Sequence, residues 1–332
     1  VKITLLSAEE MLSVFSMADA VQADKDALSL YSAGGASIPL RTNIDIPEHK
    51  GQSLYMPGYA AEAGALGVKI VSVYPGNIER GLPSVPATMV LLDADTGQVS
   101  ALMDGTCLTR IRTGAVSGAA TDILARKDCR KFALYGTGGQ AETQLEAVLT
   151  VRSSIERVEV FDISMERAED FAKRMGERFA GKFKAAIAAA RSSGEALEDA
   201  DVVTAVTTSK VPVFDGAKLK AGAHVNGVGS YTPEMQELDP EALRRAEIVT
   251  VDTRDGVLNE SGDFIIPQSQ GVFSYDRVVE LGEVMSGKAK GRSRDDQVTL
   301  FKTVGSAVLD VVSARRIYEN ALKKGLGRTI DL

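Results

Sequence analysis

Apolar positions along the chain change their spacing more than once, and those changes mark out its organisation. Near the amino end Met11, Val14 and Phe15 recur at helical spacing behind Ser7-Ala-Glu-Glu10, where Ser at the cap and Glu three residues on form a capping box. A second helical segment, apolar at Ala20, Val21, Ala27, Leu28 and Tyr31, stops at Gly34-Gly35. The spacing then becomes strand-like over 52–56, 65–74, 87–92 and 98–103, the last two joined through Asp93-Ala-Asp-Thr-Gly97 as a hairpin. Successive strands with short turns predict an antiparallel sheet for this first region.

From 104 to about 127 the pattern predicts a long helix whose middle, Thr113-Gly-Ala-Val-Ser-Gly-Ala-Ala120, is nearly all small residues, so other backbones can approach it closely. Beyond it, short apolar runs at 132–135, 158–161, 185–188, 202–206, 223–228 and 248–251 recur with helical stretches between them. Six such strands predict a mostly parallel, doubly wound sheet. A terminal helix is expected from Leu300 to about Lys323, returning to the first region. The expected fold class is therefore α/β: a Rossmann-type doubly wound domain over 116–304, and an α+β domain built from 1–115 and 305–332.

The most specific local motif is Lys131-Phe-Ala-Leu-Tyr-Gly136, a strand running into Thr137-Gly138-Gly139-Gln140-Ala141. This Gly-x-Gly-x-x-Ala turn is suited to a dinucleotide: the first glycine permits the turn, the second admits a pyrophosphate, and the small Ala141 allows close helix packing. The next predicted strand ends in Asp162, a little beyond the usual distance of about 20 residues. A carboxylate there bonds ribose hydroxyls and repels a 2′-phosphate, which argues for NAD over NADP. Ligands of such sheets lie beyond the carboxyl ends of the strands. Thr207, after the 202–206 strand, and Val228, Gly229 and Ser230, after the 223–228 strand, are thus placed near the nicotinamide half.

Composition narrows the classes. The 332 residues are 44% hydrophobic and 25% charged with a net charge of −7, which offers no basic footprint for nucleic acid or an anionic membrane. Neither a signal peptide nor a bilayer-spanning run is legible, and the expected location is cytoplasmic. Two cysteines and two histidines do not make a metal cluster or a disulfide framework.

Strand alternation puts Lys69 on one face with Val71 and Val73, and Leu66, Val68 and Ile70 on the other. A lysine on an apolar face either snorkels to solvent or is held against an anion in a cleft, where desolvation lowers its pKa toward acid-base use. Arg41 and Arg112 border the domain crossover as well. With Lys69 they form a candidate clamp for an α-carboxylate, since guanidinium binds carboxylate bidentately. His224, in Ala221-Gly-Ala-His-Val, is expected to be a buried, hydrogen-bonded core residue.

Taken together, Leu54-Tyr-Met-Pro57, Leu66-Gly-Val-Lys69, Leu82-Pro-Ser-Val-Pro-Ala87, the 108–113 helix start, the Gly136 turn, 225–238, Asn259-Glu-Ser-Gly-Asp263 and Phe301-Lys-Thr-Val-Gly305 resemble the ornithine cyclodeaminase and mu-crystallin family. The resemblance implies a homodimer paired through the first domain, which would also bind substrate, with the active site between that domain and the nucleotide domain. It implies substrate-carboxylate and acid-base roles for Arg41, Lys69 and Arg112, and adds Thr113 to the cofactor contacts. Ornithine cyclodeaminases carry an Asp where this chain has Ser230 and a Glu where it has Leu54. The serine resembles the ketimine reductase branch. The expected activity is NAD(H)-dependent reduction of a small cyclic imino acid such as 1-pyrroline-2-carboxylate, or its reverse, amino-acid dehydrogenation, with Ser230 contacting substrate or a catalytic water. The alternatives are ornithine cyclodeamination, for which the missing acid is the discriminator, and a binding protein without turnover.

Overall fold

A computed structural model describes residues 1–332, which fall into two compact units. The first comprises Val1–Arg112 and Ser306–Leu332, the second Thr113–Gly305, so the change of unit lies inside the Gly105–Leu124 helix.

The first unit is built on one sheet. Its strands are β1 (Lys2–Leu6), β2 (Ala36–Ser37), β3 (Thr42–Ile46), β4 (Gly51–Ala60), β5 (Ala65–Val73), β6 (Ala87–Leu92) and β7 (Val99–Asp104), joined at the far edge by Arg328–Asp331. The middle is antiparallel, as the alternation predicts. The sheet as a whole is mixed, because β1 runs parallel to β7. That pairing escaped sequence reading because parallel neighbours need a long crossover, here nearly the whole unit, and leave no turn signature. The Ala307–Lys323 helix packs over β4 and β5, where Leu54, Met56, Val71 and Ala307 form an apolar cluster. The helix comes close at Gly58, where an added Cβ would stand 3.3 Å from that of Ala307. On the opposite face, register brings Ile44, Tyr59 and Ile70 to the same side, and they remain 50%, 39% and 37% exposed.

The second unit holds an all-parallel sheet of eight strands: β8 (Lys131–Tyr135), β9 (Arg157–Phe161), β10 (Ala186–Ala189), β11 (Val202–Ala205), β12 (His224–Gly227), β13 (Ile248–Val251), β14 (Val278–Glu280) and β15 (Thr299–Lys302). Their order is β10-β9-β8-β11-β12-β15-β13-β14, so the chain reverses its direction of winding between β8 and β11. The small residues of the Gly105–Leu124 helix have a direct use here. A Cβ on Gly114 would meet the Thr143 backbone at 2.4 Å, and Gln144 Nε2 donates to Thr113 O at 2.8 Å, which docks the Ala141–Val151 helix against it.

One expectation fails outright. Residues 299–302 are a central strand, and the terminal helix begins only at Ala307, after Gly305 at φ +80° and a cap at Ser306. Leu300 and Phe301 are fully buried, and a strand covered on both faces reads as a continuous apolar run that periodicity does not separate from a buried helix. No helix is long and apolar enough to cross a membrane.

Candidate functional site

The second unit carries the phosphate-type turn where the motif places it. β8 is buried throughout and delivers Gly136 at φ +100°, where an added Cβ would stand 2.7 Å from Val206 O. Only glycine fits that position. Side chains on Gly138 or Gly139 would instead project into open space, so both positions leave the turn uncovered for a ligand beside the start of the Ala141–Val151 helix. Asp162 sits at the end of β9, and Thr137 N and Oγ1 donate to its Oδ2 at 3.2 and 2.7 Å. Its Oδ1 accepts from Ser164 N at 3.0 Å and Arg167 Nη2 at 2.8 Å. Burial alone would raise its pKa, but these bonds and the Arg167 charge outweigh it and hold the carboxyl below its ordinary value. A fixed anion at the end of β9 suits ribose hydroxyls. The residues present therefore fit a dinucleotide without a 2′-phosphate.

The loops after β11 and β12 meet on one carboxylate. Glu237 accepts from Thr207 N and Oγ1 through Oε2, and from the amides of Val228, Gly229 and Ser230 through Oε1. Ser230 is fully buried; its hydroxyl donates to Met235 O at 2.7 Å and lies 3.2 Å from Ser261 Oγ. The hydroxyl proton of Ser230 is thus used to close its own loop, and the expected contact with substrate or a catalytic water would fall to its remaining acceptor lone pair.

The first unit brings Lys69 and Arg112 together. Lys69 lies in the middle of β5, fully buried, and its Nζ donates to Asp310 Oδ1 at 2.8 Å. Arg112 Nε approaches the same oxygen at 2.9 Å. Burial, then Arg112, then Arg41 push the Lys69 pKa down to about 7, against the pull of Asp310. A lysine in that range exchanges a proton at neutral pH. Asp24 is also fully buried nearby, its carboxyl pushed far above the ordinary range by burial and by Asp310 against the pull of Arg112. Arg112 Nη1, Asp310 Oδ2 and Asp24 Oδ2 are buried without hydrogen-bond partners. Buried donors and acceptors of this kind are costly to leave without a partner, which water or a ligand can supply. Arg41 stands between β2 and β3, close enough for its charge to act on Lys69.

Asp24, Glu237, Asp263, Lys302 and Asp310 were not legible as site residues. Two of them carried a signal, a lone acid at a core position of an apolar helix: Asp310 in Ala307-Val-Leu-Asp310-Val-Val, and Asp24 between Val21 and Leu28. His224 is buried and bonded to Thr299 and Asn226, and burial lowers its pKa to about 3, which keeps it neutral.

The geometry is that of a dinucleotide-binding unit joined in one chain to a unit with a buried cationic centre. The chain belongs to the ornithine cyclodeaminase/mu-crystallin family, which it matches over residues 1–325. It is 37% identical over 328 residues to a Delta(1)-pyrroline-2-carboxylate reductase of Bacillus cereus, covering 98% of this chain and 99% of the relative. An alanine dehydrogenase of Archaeoglobus fulgidus is 36% identical, over 98% of this chain and 97% of that one. Among solved structures, the Thermococcus litoralis Delta(1)-pyrroline-2-carboxylate reductase in complex with NADH and L-proline superposes with a TM-score of 0.93 at 41% identity, covering 99% of this chain and 100% of the other.

Proposed function

We propose that this chain is an NAD-dependent reductase of small cyclic imino acids, of the 1-pyrroline-2-carboxylate type. The observation that carries the reading is the sharing of Asp310 Oδ1 by Lys69 and Arg112, fully inside the protein, with Arg112 Nη1 left unspent. Arg112, with Arg41, would hold the substrate carboxylate, and the planar guanidinium suits that ligand. Asp310 keeps both cations in place from below. Lys69, with a pKa near neutrality, would orient the substrate and give a proton to the reaction. When bound, NADH supplies the hydride that adds to the imine carbon, while the nitrogen ends as an amine. The Gly136–Ala141 turn and Asp162 would hold the adenosine and pyrophosphate end, and Thr113, Thr207, Val228 and Gly229 the rest. The similarity to proteins named reductase and alanine dehydrogenase supports this assignment and its reverse.

Ornithine cyclodeamination is the weaker reading, since Ser230 cannot hold a charge and is closed into its loop. The apolar sheet face around Ile44, Tyr59 and Ile70 supports a homodimer with a second copy as its cover, and one of the similar solved chains is a dimer. Light scattering on the purified protein reads that directly. Two free cysteines, whose thiols burial raises to about 11, suit a reducing cytoplasm.

The test is to follow NADH loss with 1-pyrroline-2-carboxylate beside a parallel reaction of ornithine and NAD assayed for ammonia. NADH consumption without ammonia is expected. Ammonia and proline from ornithine with no net change in NADH would overturn the reductase reading.

A further inference from the structure

Glu237, in the second unit, gathers donors from two separate loops. Thr207 follows β11; Val228, Gly229 and Ser230 follow β12; and all four direct backbone N–H groups at it, joined by the Thr207 hydroxyl. Glycine is required inside this arrangement, because a Cβ on Gly229 would stand 1.9 Å from Thr207 O and 2.7 Å from Glu237 Oε2. The carboxylate is fully buried and held from behind. Asp263 Oδ1 accepts from Glu237 N and Leu238 N at 2.7 and 2.9 Å, and Asp263 Oδ2 lies 2.9 Å from Lys302 Nζ, which stands 3.7 Å from Glu237 Oε1. Lys302 belongs to β15, beside β12 in the sheet, so the clasp is anchored to a central strand.

We infer that Glu237 is a positioning residue for the nicotinamide end of the cofactor: one buried carboxylate locks the β11 and β12 loops into a single surface, while the adenosine end is held independently by the Gly136 turn and Asp162. The inference rests on the reading that the second unit binds NAD with the nicotinamide beyond the carboxyl ends of β11 and β12. Its chemistry is specific. The clasp spends the amide donors of four residues on protein, so any recognition of the carboxamide there uses acceptors, and the loops hold one shape before the cofactor arrives. Preorganisation of this kind appears in affinity because binding need not order the loops.

The experiment compares two probes, NADH and ADP-ribose, on the full chain and on Glu237→Gln. Gln keeps the shape, leaves Lys302 paired with Asp263, and replaces one accepting oxygen by an amide NH2 that faces donors. The expected result is a loss of at least about tenfold in NADH affinity, the scale of one to two charge-assisted hydrogen bonds, with ADP-ribose affinity unchanged. Equal losses for both probes, or no loss for either, would overturn the inference. Failure of the unmodified protein to bind either probe would instead refute the cofactor reading beneath it. Should Glu237→Gln not fold, Thr207→Val removes the hydroxyl that donates to Glu237 and accepts from Ser209 N, and leaves the backbone bonds of the clasp in place. It is expected to weaken NADH about fivefold, the worth of one neutral hydrogen bond, and again to spare ADP-ribose. Undiminished NADH affinity in that variant would count against the clasp.

Discussion

Each unit buries a small group of charged side chains around one carboxylate, and the two carboxylates differ in how completely they are satisfied. In the second unit Glu237 has five donors and a lysine behind it. In the first, Lys69 and Arg112 share a single oxygen of Asp310, whose Oδ2 accepts no hydrogen bond from the protein. Burying charge is expensive in both places. The difference is where the compensation comes from. A saturated carboxylate completes the architecture by itself, whereas one with an oxygen to spare has room for a further donor from water or a ligand. On this ground the Lys69 group is the proposed place for substrate, and the Glu237 group the proposed support for the cofactor surface.

The sharpest way to break the comparison is to take the proton from the unsatisfied group. Lys69→Met should lower kcat by about 10²–10⁴-fold, the usual worth of a positioned acid or base, while NADH titration by fluorescence shows the cofactor still bound. The same variant has a second readout. Lys69 has a folded pKa of about 7 against 10.5 in the unfolded chain, so between those values the unfolded chain holds the extra proton and stability rises with pH. Thermal unfolding of the unmodified protein relative to Lys69→Met should therefore improve as pH rises from 7 toward 10. In activity the sign is opposite, since loss of the lysine proton above about pH 7 should lower kcat/KM.

Asp310→Asn comes next in size. It leaves the buried Arg112 cation, and a Lys69 amine pushed further toward neutrality, facing a neutral amide, a loss of about 3–5 kcal/mol in chemical denaturation, with KM for the imino acid raised because Arg112 is no longer held. An unchanged KM would show that Arg112 is positioned by something else. The smallest effect belongs to Ser230→Ala. Its hydroxyl closes a loop, so about 1 kcal/mol of stability should be lost and kcat should change little. A large fall in kcat at unchanged stability would return Ser230 to the chemistry.

Sequence reading reached the elements whose signals are local. The capping box at Ser7, the Gly136 turn and the hairpin of β6 and β7 each depend on neighbours in the chain, and each is present. It reached Lys69 because a charged residue in an alternating strand is conspicuous. Asp310, separated from Lys69 by most of the chain and lying in a helix that reads as plain core, became visible only when folding set it 2.8 Å away. Lys302 was hidden twice over, since the buried strand that carries it imitates a helix and its partners come from elsewhere in the chain. Ser230 is a mixed case: its type and place in the loop suggest chemistry, while its hydroxyl proton is used to close that loop.

The most direct measurement is the affinity of pyrrole-2-carboxylate, a planar carboxylate that cannot accept hydride, for the unmodified protein, Arg112→Met and Glu237→Gln by calorimetry with NADH saturating. Arg112→Met should weaken it at least about tenfold, in line with the loss of a charge-assisted pair, and Glu237→Gln should leave it unchanged. A carboxylate that bound Arg112→Met as well as the unmodified protein, and lost affinity in Glu237→Gln, would place the substrate at the saturated group and contradict the assignment.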